Sequence, residues 1–193
     1  MIFNIQNIYK KYKNNLVLKG FSYSFSQGVY LLTGINGIGK STLLKIISRI
    51  IKPSNSNYKI DNLKVAYLCE KMELVNKKPS VFLSEICKIN KTSFNIQEDL
   101  SKWEIPDKKI YNLSKGNKQK TSLLLMQYSN ADIYLFDEPT DSLDKKGIEF
   151  FSLLIKELEE KEKIIIISTH EPSYFKNIKY KEIRLCLEWF AWI

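Results

Sequence analysis

Over the first thirty-odd positions, Ile2, Asn4 and Gln6 interleave with Phe3, Ile5 and Asn7, and Phe21, Tyr23 and Phe25 interleave with Ser22, Ser24 and Ser26. A period of two predicts strands, with Gly20 and the pair Gln27 and Gly28 as turns. Residues 29–33 form a short apolar run ending at Gly34, which reads as a buried strand feeding a loop. From Lys40 the period lengthens: Leu43, Leu44, Ile46, Ile47, Ile50 and Ile51 predict a helix stopped by Pro53. Residues 64–68 read as another strand.

Residues 71–112 are polar and irregular, with short helical candidates at 81–89 and 96–103 and with Pro79 and Pro106 as punctuation. Ser114 stands where a helix N-cap belongs, ahead of a leucine-rich stretch that runs to Tyr128. The expected inserted helical lobe therefore spans about 71–128. Residues 133–136 and 164–168 are continuous apolar runs of strand length, the pattern of strands buried on both faces. Between them Ile148, Phe151, Leu154, Ile155 and Leu158 mark one face of an amphipathic helix. Strands alternating with helices predict a mostly parallel α/β sheet.

The 193 residues suit one domain, or one domain with a lobe inserted, and we expect a single domain over 1–193. No apolar run reaches the ~18 residues of a membrane span, so no direct span is expected. The first residues lack the pattern of a secretory signal. Cys69, Cys87 and Cys186 share no metal-ligand spacing and suit a reducing compartment. The net charge of +9 admits a polyanionic partner. Its lysines are scattered without a sustained basic stripe, so compositional bias explains them as well, and no nucleic acid is expected as a partner.

Gly34, Asn36, Gly37, Gly39, Lys40, Ser41 and Thr42 fall in a G-x-x-x-x-G-K-[ST] run between a predicted strand and a predicted helix. Glycines let backbone amides curl around a phosphate, and the helix N-terminus adds positive potential. Lys40 can reach the β- and γ-phosphates, and the Ser41 hydroxyl can ligate Mg²⁺. Farther on, Leu113, Ser114, Lys115 and Gly116 open the leucine-rich helix. Asp137 and Glu138 close the strand at 133–136, Asp144 follows, and the only histidine, His170, comes just after the strand at 164–168. On a strand expected to lie beside the phosphate-loop strand, Asp137 can hold the shell of a metal ion, and Glu138 can polarise an attacking water.

In order, spacing and flanking elements these motifs resemble the ATP-binding-cassette (ABC) transporter ATPases over about residues 3–185. The resemblance implies a P-loop NTPase core with a mostly parallel sheet, an N-terminal antiparallel β-subdomain and a short inserted helical subdomain. It implies an ATPase using ATP and Mg²⁺, with Glu138 as general base and His170 against the γ-phosphate. Ser114 and Gly116 would belong to a signature loop that closes on the nucleotide of a second ABC subunit, most simply another copy in a homodimer. Tyr12 matches the adenine-stacking aromatic, with Tyr9 as a rival and a core tyrosine as the plain alternative. The family's glutamine after the strand at 64–68 is here Glu70, which either takes that place at the metal or points away.

The expected function is the motor of an ABC transporter with a separate integral membrane permease subunit. The form of the signature, Leu113, Ser114, Lys115 and Gly116 followed by Lys118 and Gln119, suggests a small exporter of peptide, drug or lipid. The expected location is cytoplasmic, peripheral on the inner face of the cell membrane through that partner. The alternatives are a soluble ABC-type ATPase not coupled to transport and a nucleotide kinase or inert binding module. The first lacks support because neither a second cassette nor a coiled-coil insertion is seen, and the second because Glu138 and His170 are both present.

Overall fold

A computed structural model describes residues 1–55, 63–69 and 76–186. Strand β1 (Ile2–Tyr12) pairs antiparallel with β2 (Asn15–Ser26), Phe3 opposite Phe25 and Ile5 opposite Tyr23. The alternation buries Phe3, Ile5, Phe21 and Phe25 on one face and leaves the serines outside. Gly20 is not a turn. It lies inside β2 at φ 75°, close to shifts in register, and a Cβ there would come within 3.0 Å of the Tyr9 hydroxyl. The hairpin turns instead at Lys13 (φ 51°) and Asn14, where Tyr12 pairs with Asn15.

Five strands form the second sheet: β3 (Gly28–Thr33), β4 (Val65–Leu68), β5 (Ile133–Asp137), β6 (Ile164–Ser168) and β7 (Tyr180–Arg184). Their spatial order is β4-β5-β6-β3-β7, and every pairing is parallel. Both faces are covered, so apolar residues run without a break. Tyr30, Leu32, Leu135 and Ile166 pack toward the hairpin and helix α1 (Lys40–Ile47), while Leu31, Phe136, Ile165 and Ile167 pack on the other face. Each fully buried isoleucine or leucine contributes about 1.5–3 kcal/mol, so these central runs dominate the core.

The helices on that second face are α2 (Pro79–Asn90), α3 (Ile96–Lys102), α4 (Lys115–Tyr128) and α5 (Lys145–Glu160). They share one apolar cluster with the sheet, through Leu83, Leu100, Leu124, Phe151 and Leu154 among others. Their starts follow local chemistry. Pro79 occupies the first turn of α2, and Asn95, Ser114 and Asp144 accept from the amides of Glu98, Asn117 and Gly147.

Two expectations change, and one strand was not anticipated. Helix α1 ends at Ile47, not at Pro53, because Arg49 adopts φ 64° and the amides of Arg49 and Ile50 fold back on the carbonyls of Ile46 and Lys45. The strand carrying Asp137 is not beside the phosphate-loop strand, since β6 lies between them. Edge strand β7 had no sequence signal, because it buries only Ile183 among five residues.

Candidate active site

The loop between β3 and α1 is built on backbone that only glycine tolerates. At Gly34 (φ 138°) a Cβ would lie 2.7 Å from the Leu185 carbonyl oxygen, and at Gly39 (φ 114°) it would lie 2.8 Å from Val17 Cγ1. The loop delivers Lys40 to the first turn of α1, where its side chain is buried and its Nζ donates to the Gly34 carbonyl at 2.8 Å. The same Nζ lies 3.8 Å from Glu138 Oε1, with side-chain exposures of only 7% and 13%. Lysine and carboxylate thus face each other across the cleft floor, where screening by water is weak.

Asp137 closes β5 and is buried. Three hydroxyls donate to it: Ser41 to Oδ1 at 3.0 Å, Ser168 to Oδ1 at 2.6 Å and Tyr67 to Oδ2 at 3.0 Å. Glu138, the next residue, sits in the left-handed region at φ 47°. For a residue with a side chain that conformation costs about 1–2 kcal/mol. The Glu138 amide donates to Ser168 Oγ at 3.1 Å. Its carboxylate oxygen Oε2 accepts from the His170 amide at 3.2 Å and lies 2.9 Å from His170 Nδ1. An ionised carboxylate only accepts, so this contact places a hydrogen on Nδ1.

These groups border an open cleft of about 320 Å³ lined by Asn36, Gly37, Gly39, Lys40, Ser41, Thr42, Glu138, Asp141 and His170. The structure therefore brings together most of the residues expected from the sequence. Gly34 and Asp137 stand just behind the lining as its support. Tyr12, Ser114 and Gly116 are not among the lining residues. Tyr12 is 45% exposed at the hairpin end, with Lys10 Nζ 5.1 Å from its ring centre, so it is not a core tyrosine. Tyr9 is exposed as well, at 38%. Ser114 is exposed at the start of α4. Glu70 lies outside the described residues.

The donors suit a hard divalent cation: the Ser41 hydroxyl and the Asp137 carboxylate are oxygen ligands already hydrogen-bonded to each other. Glu138, Asp141 and His170 also bring possible ligand atoms within 4.8 Å of one another. That set contains an imidazole, which suits softer ions than Mg²⁺. Sequence reasoning missed Ser168 and Tyr67, whose partner Asp137 lies 31 and 70 residues away in the chain. It also foresaw no contact for Gln119 and Lys120. Gln119 Nε2 donates to the Pro139 carbonyl at 2.9 Å, and Lys120 Nζ donates to Asp144 at 3.2 Å. These contacts pin the start of α4 to the loop after Glu138.

The family model described as ABC transporter matches residues 18–141, from the hairpin through the loop that carries Asp137, Glu138 and Asp141. The chain belongs to the ABC transporter family. An ABC transporter ATP-binding protein of Methanocaldococcus jannaschii is 33% identical over 177 residues, covering 86% of this chain and 67% of that protein. A zinc import ATP-binding protein of Rickettsia conorii is 28% identical over 194 residues, covering 96% and 82%. A solved dimeric cassette in a post-hydrolysis state with ADP and Pi has a TM-score of 0.80 at 23% identity, covering 96% of this chain and 94% of that one. It shares the fold. This ABC cassette is an ATP-binding ATPase, the motor subunit of a transporter. Among the described residues no helix is long and apolar enough to cross a membrane.

Proposed function

We propose that residues 1–193 act as one cassette that binds ATP with Mg²⁺ in this cleft, pairs head to tail with a second copy, and drives a separate membrane-spanning permease from the inner face of the membrane. One observation carries the reading. Lys40, Ser41, Glu138 and His170 share a single cleft, whereas the signature residues Ser114 and Gly116 are not in its lining. A nucleotide bound there would meet those two residues only on another chain. The dimeric neighbour of like fold supports this pairing.

In this reading the phosphate-loop amides and the α1 N-terminus hold the phosphates, and Lys40 exchanges the Gly34 carbonyl for phosphate oxygens. Ser41 and Asp137 would hold Mg²⁺, which supplies charge neutralisation to the phosphates when bound. Glu138 takes a proton from the attacking water. His170 holds Oε2 of Glu138 through its amide and Nδ1, and its ring contacts the γ-phosphate by donating from Nε2, which requires a hydrogen there as well. Tyr12, exposed at the hairpin end, stacks on adenine. By its position in the sequence, Glu70 takes the role of the family's glutamine.

The signature form of Leu113, Ser114, Lys115 and Gly116 followed by Lys118 and Gln119 supports an exporter of peptide, drug or lipid, while a relative of comparable identity is named for zinc import. The test is purification of the tagged chain from detergent-solubilised membranes. Recovery with one integral membrane protein and ATPase activity is expected. Recovery with ribosomes or nucleic acid would overturn the transport reading.

A further inference from the structure

We propose that Tyr67 is a positioning residue that fixes the plane of the Asp137 carboxylate for the metal ion. The inference rests on the reading that Asp137 holds Mg²⁺. A carboxylate turns easily about its last side-chain bond, because that torsion is broad and nearly two-fold. Hydrogen bonds to one oxygen alone would leave the other free to swing. In this chain Oδ1 takes the hydroxyls of Ser41 and Ser168, and Oδ2 takes the Tyr67 hydroxyl at 3.0 Å.

The sheet order makes this a clamp from two sides. Strand β5, which carries Asp137, lies between β4, which carries Tyr67, and β6, which carries Ser168. Asp137 and Ser168 are register partners, and Tyr67 pairs with Leu135 on the opposite flank. The Tyr67 ring packs against the apolar cluster that also holds Leu135 and Ile166. Its hydroxyl is therefore presented by a fixed ring rather than by a mobile chain. With Oδ2 tied, the Asp137 plane is set, and so is the direction of the Ser41 hydroxyl that donates to Oδ1. The lone pairs of Ser41 are then left for the ion. Outer groups that orient metal ligands typically change metal affinity about 10- to 100-fold when removed. Because Ser168 and Ser41 remain on Oδ1, the lower end applies.

The test uses the full chain and the fluorescent analogue mant-ATP, titrated with Mg²⁺ and, separately, measured in EDTA. Tyr67→Phe keeps the ring and deletes only the hydroxyl, and Tyr67→Leu deletes both. Both variants are expected to raise the half-saturating Mg²⁺ concentration about tenfold, with affinity in EDTA unchanged. An unchanged Mg²⁺ requirement in Tyr67→Phe, or a shift seen only in Tyr67→Leu, overturns the proposal, since the effect would then belong to ring packing. So does an equal loss of affinity with and without Mg²⁺. Failure of the underlying metal reading shows separately: the unsubstituted chain would then bind mant-ATP equally well in Mg²⁺ and in EDTA.

Discussion

Replacing Glu138 by glutamine removes one negative charge from the cleft floor and leaves its shape almost unchanged. The amide oxygen of Glu138→Gln can still accept from the His170 amide, and the backbone stays at φ 47°. Two effects follow, and they have opposite signs for binding and for chemistry. The carboxylate lies 3.8 Å from Lys40 Nζ, so at an effective dielectric of about 20 the pair attracts by roughly 4 kcal/mol. Neutralising Glu138 frees Lys40 for phosphate and removes a like charge from beside the incoming anion. Binding of ATP should hold or tighten.

Loss of the general base should slow hydrolysis by about 10²–10⁴-fold, or roughly 3–5.5 kcal/mol of barrier. The assay is single-turnover release of phosphate alongside equilibrium binding of ATP, with the association state followed by sedimentation. Slow turnover, retained binding and an ATP-dependent dimer are expected. Turnover within a few-fold of the parent would refute the assignment of Glu138. A companion change, Glu138→Gly, should also abolish turnover. Relief of the left-handed backbone should make it up to about 1 kcal/mol more stable than Glu138→Gln in thermal unfolding.

Asp144 joins stability to pH. The Gly147 amide and then Lys120 hold its carboxyl below the ordinary carboxylate value. Its stabilisation is therefore present above about pH 4 and is lost as pH falls through the lowered folded value. Its side chain is 62% exposed, so the effect is modest. Asp144→Ala should lose about 1 kcal/mol at pH 7 in denaturant unfolding, and the gap to the parent should narrow below pH 4. A gap independent of pH would contradict this cause. For Glu70, Glu70→Ala should raise the Mg²⁺ requirement and lower turnover while Glu70→Gln keeps both near the parent. Steady-state ATPase assays at varied Mg²⁺ decide this, and an unchanged Glu70→Ala would remove Glu70 from the site.

The parts of the site legible in the sequence were those whose chemistry is local. The phosphate loop is contiguous, with glycines wherever the backbone turns left-handed or meets Leu185 and Val17. The runs ending at Asp137 and Ser168 could be read as strands because burial on both faces leaves no polar alternation. What escaped depends on which strands lie side by side. Tyr67 and Ser168 reach Asp137 only because β4 and β6 flank β5, and no spacing rule carries that register. Gly20 read as a turn because glycine punctuates turns and irregular strands alike, and only the pairing of Tyr12 with Asn15 separates the two. The left-handed close of α1 at Arg49 was hidden for a similar reason, since arginine is not a usual residue there.

The claim that each chain completes its neighbour's site is tested most directly by complementation. Lys40→Ala disables a chain's own phosphate loop, and Ser114→Arg disables the signature it would lend. Each variant alone should be inactive. In a mixed dimer the Ser114→Arg chain keeps its Lys40 and borrows an intact Ser114, so one of the two sites is whole. An equal mixture should then recover up to about a quarter of parental phosphate release, as random pairing in a two-fold dimer dictates. If Ser114 served its own chain's nucleotide, every site in the mixture would carry a lesion, and activity no higher than that of the separate variants would contradict the account.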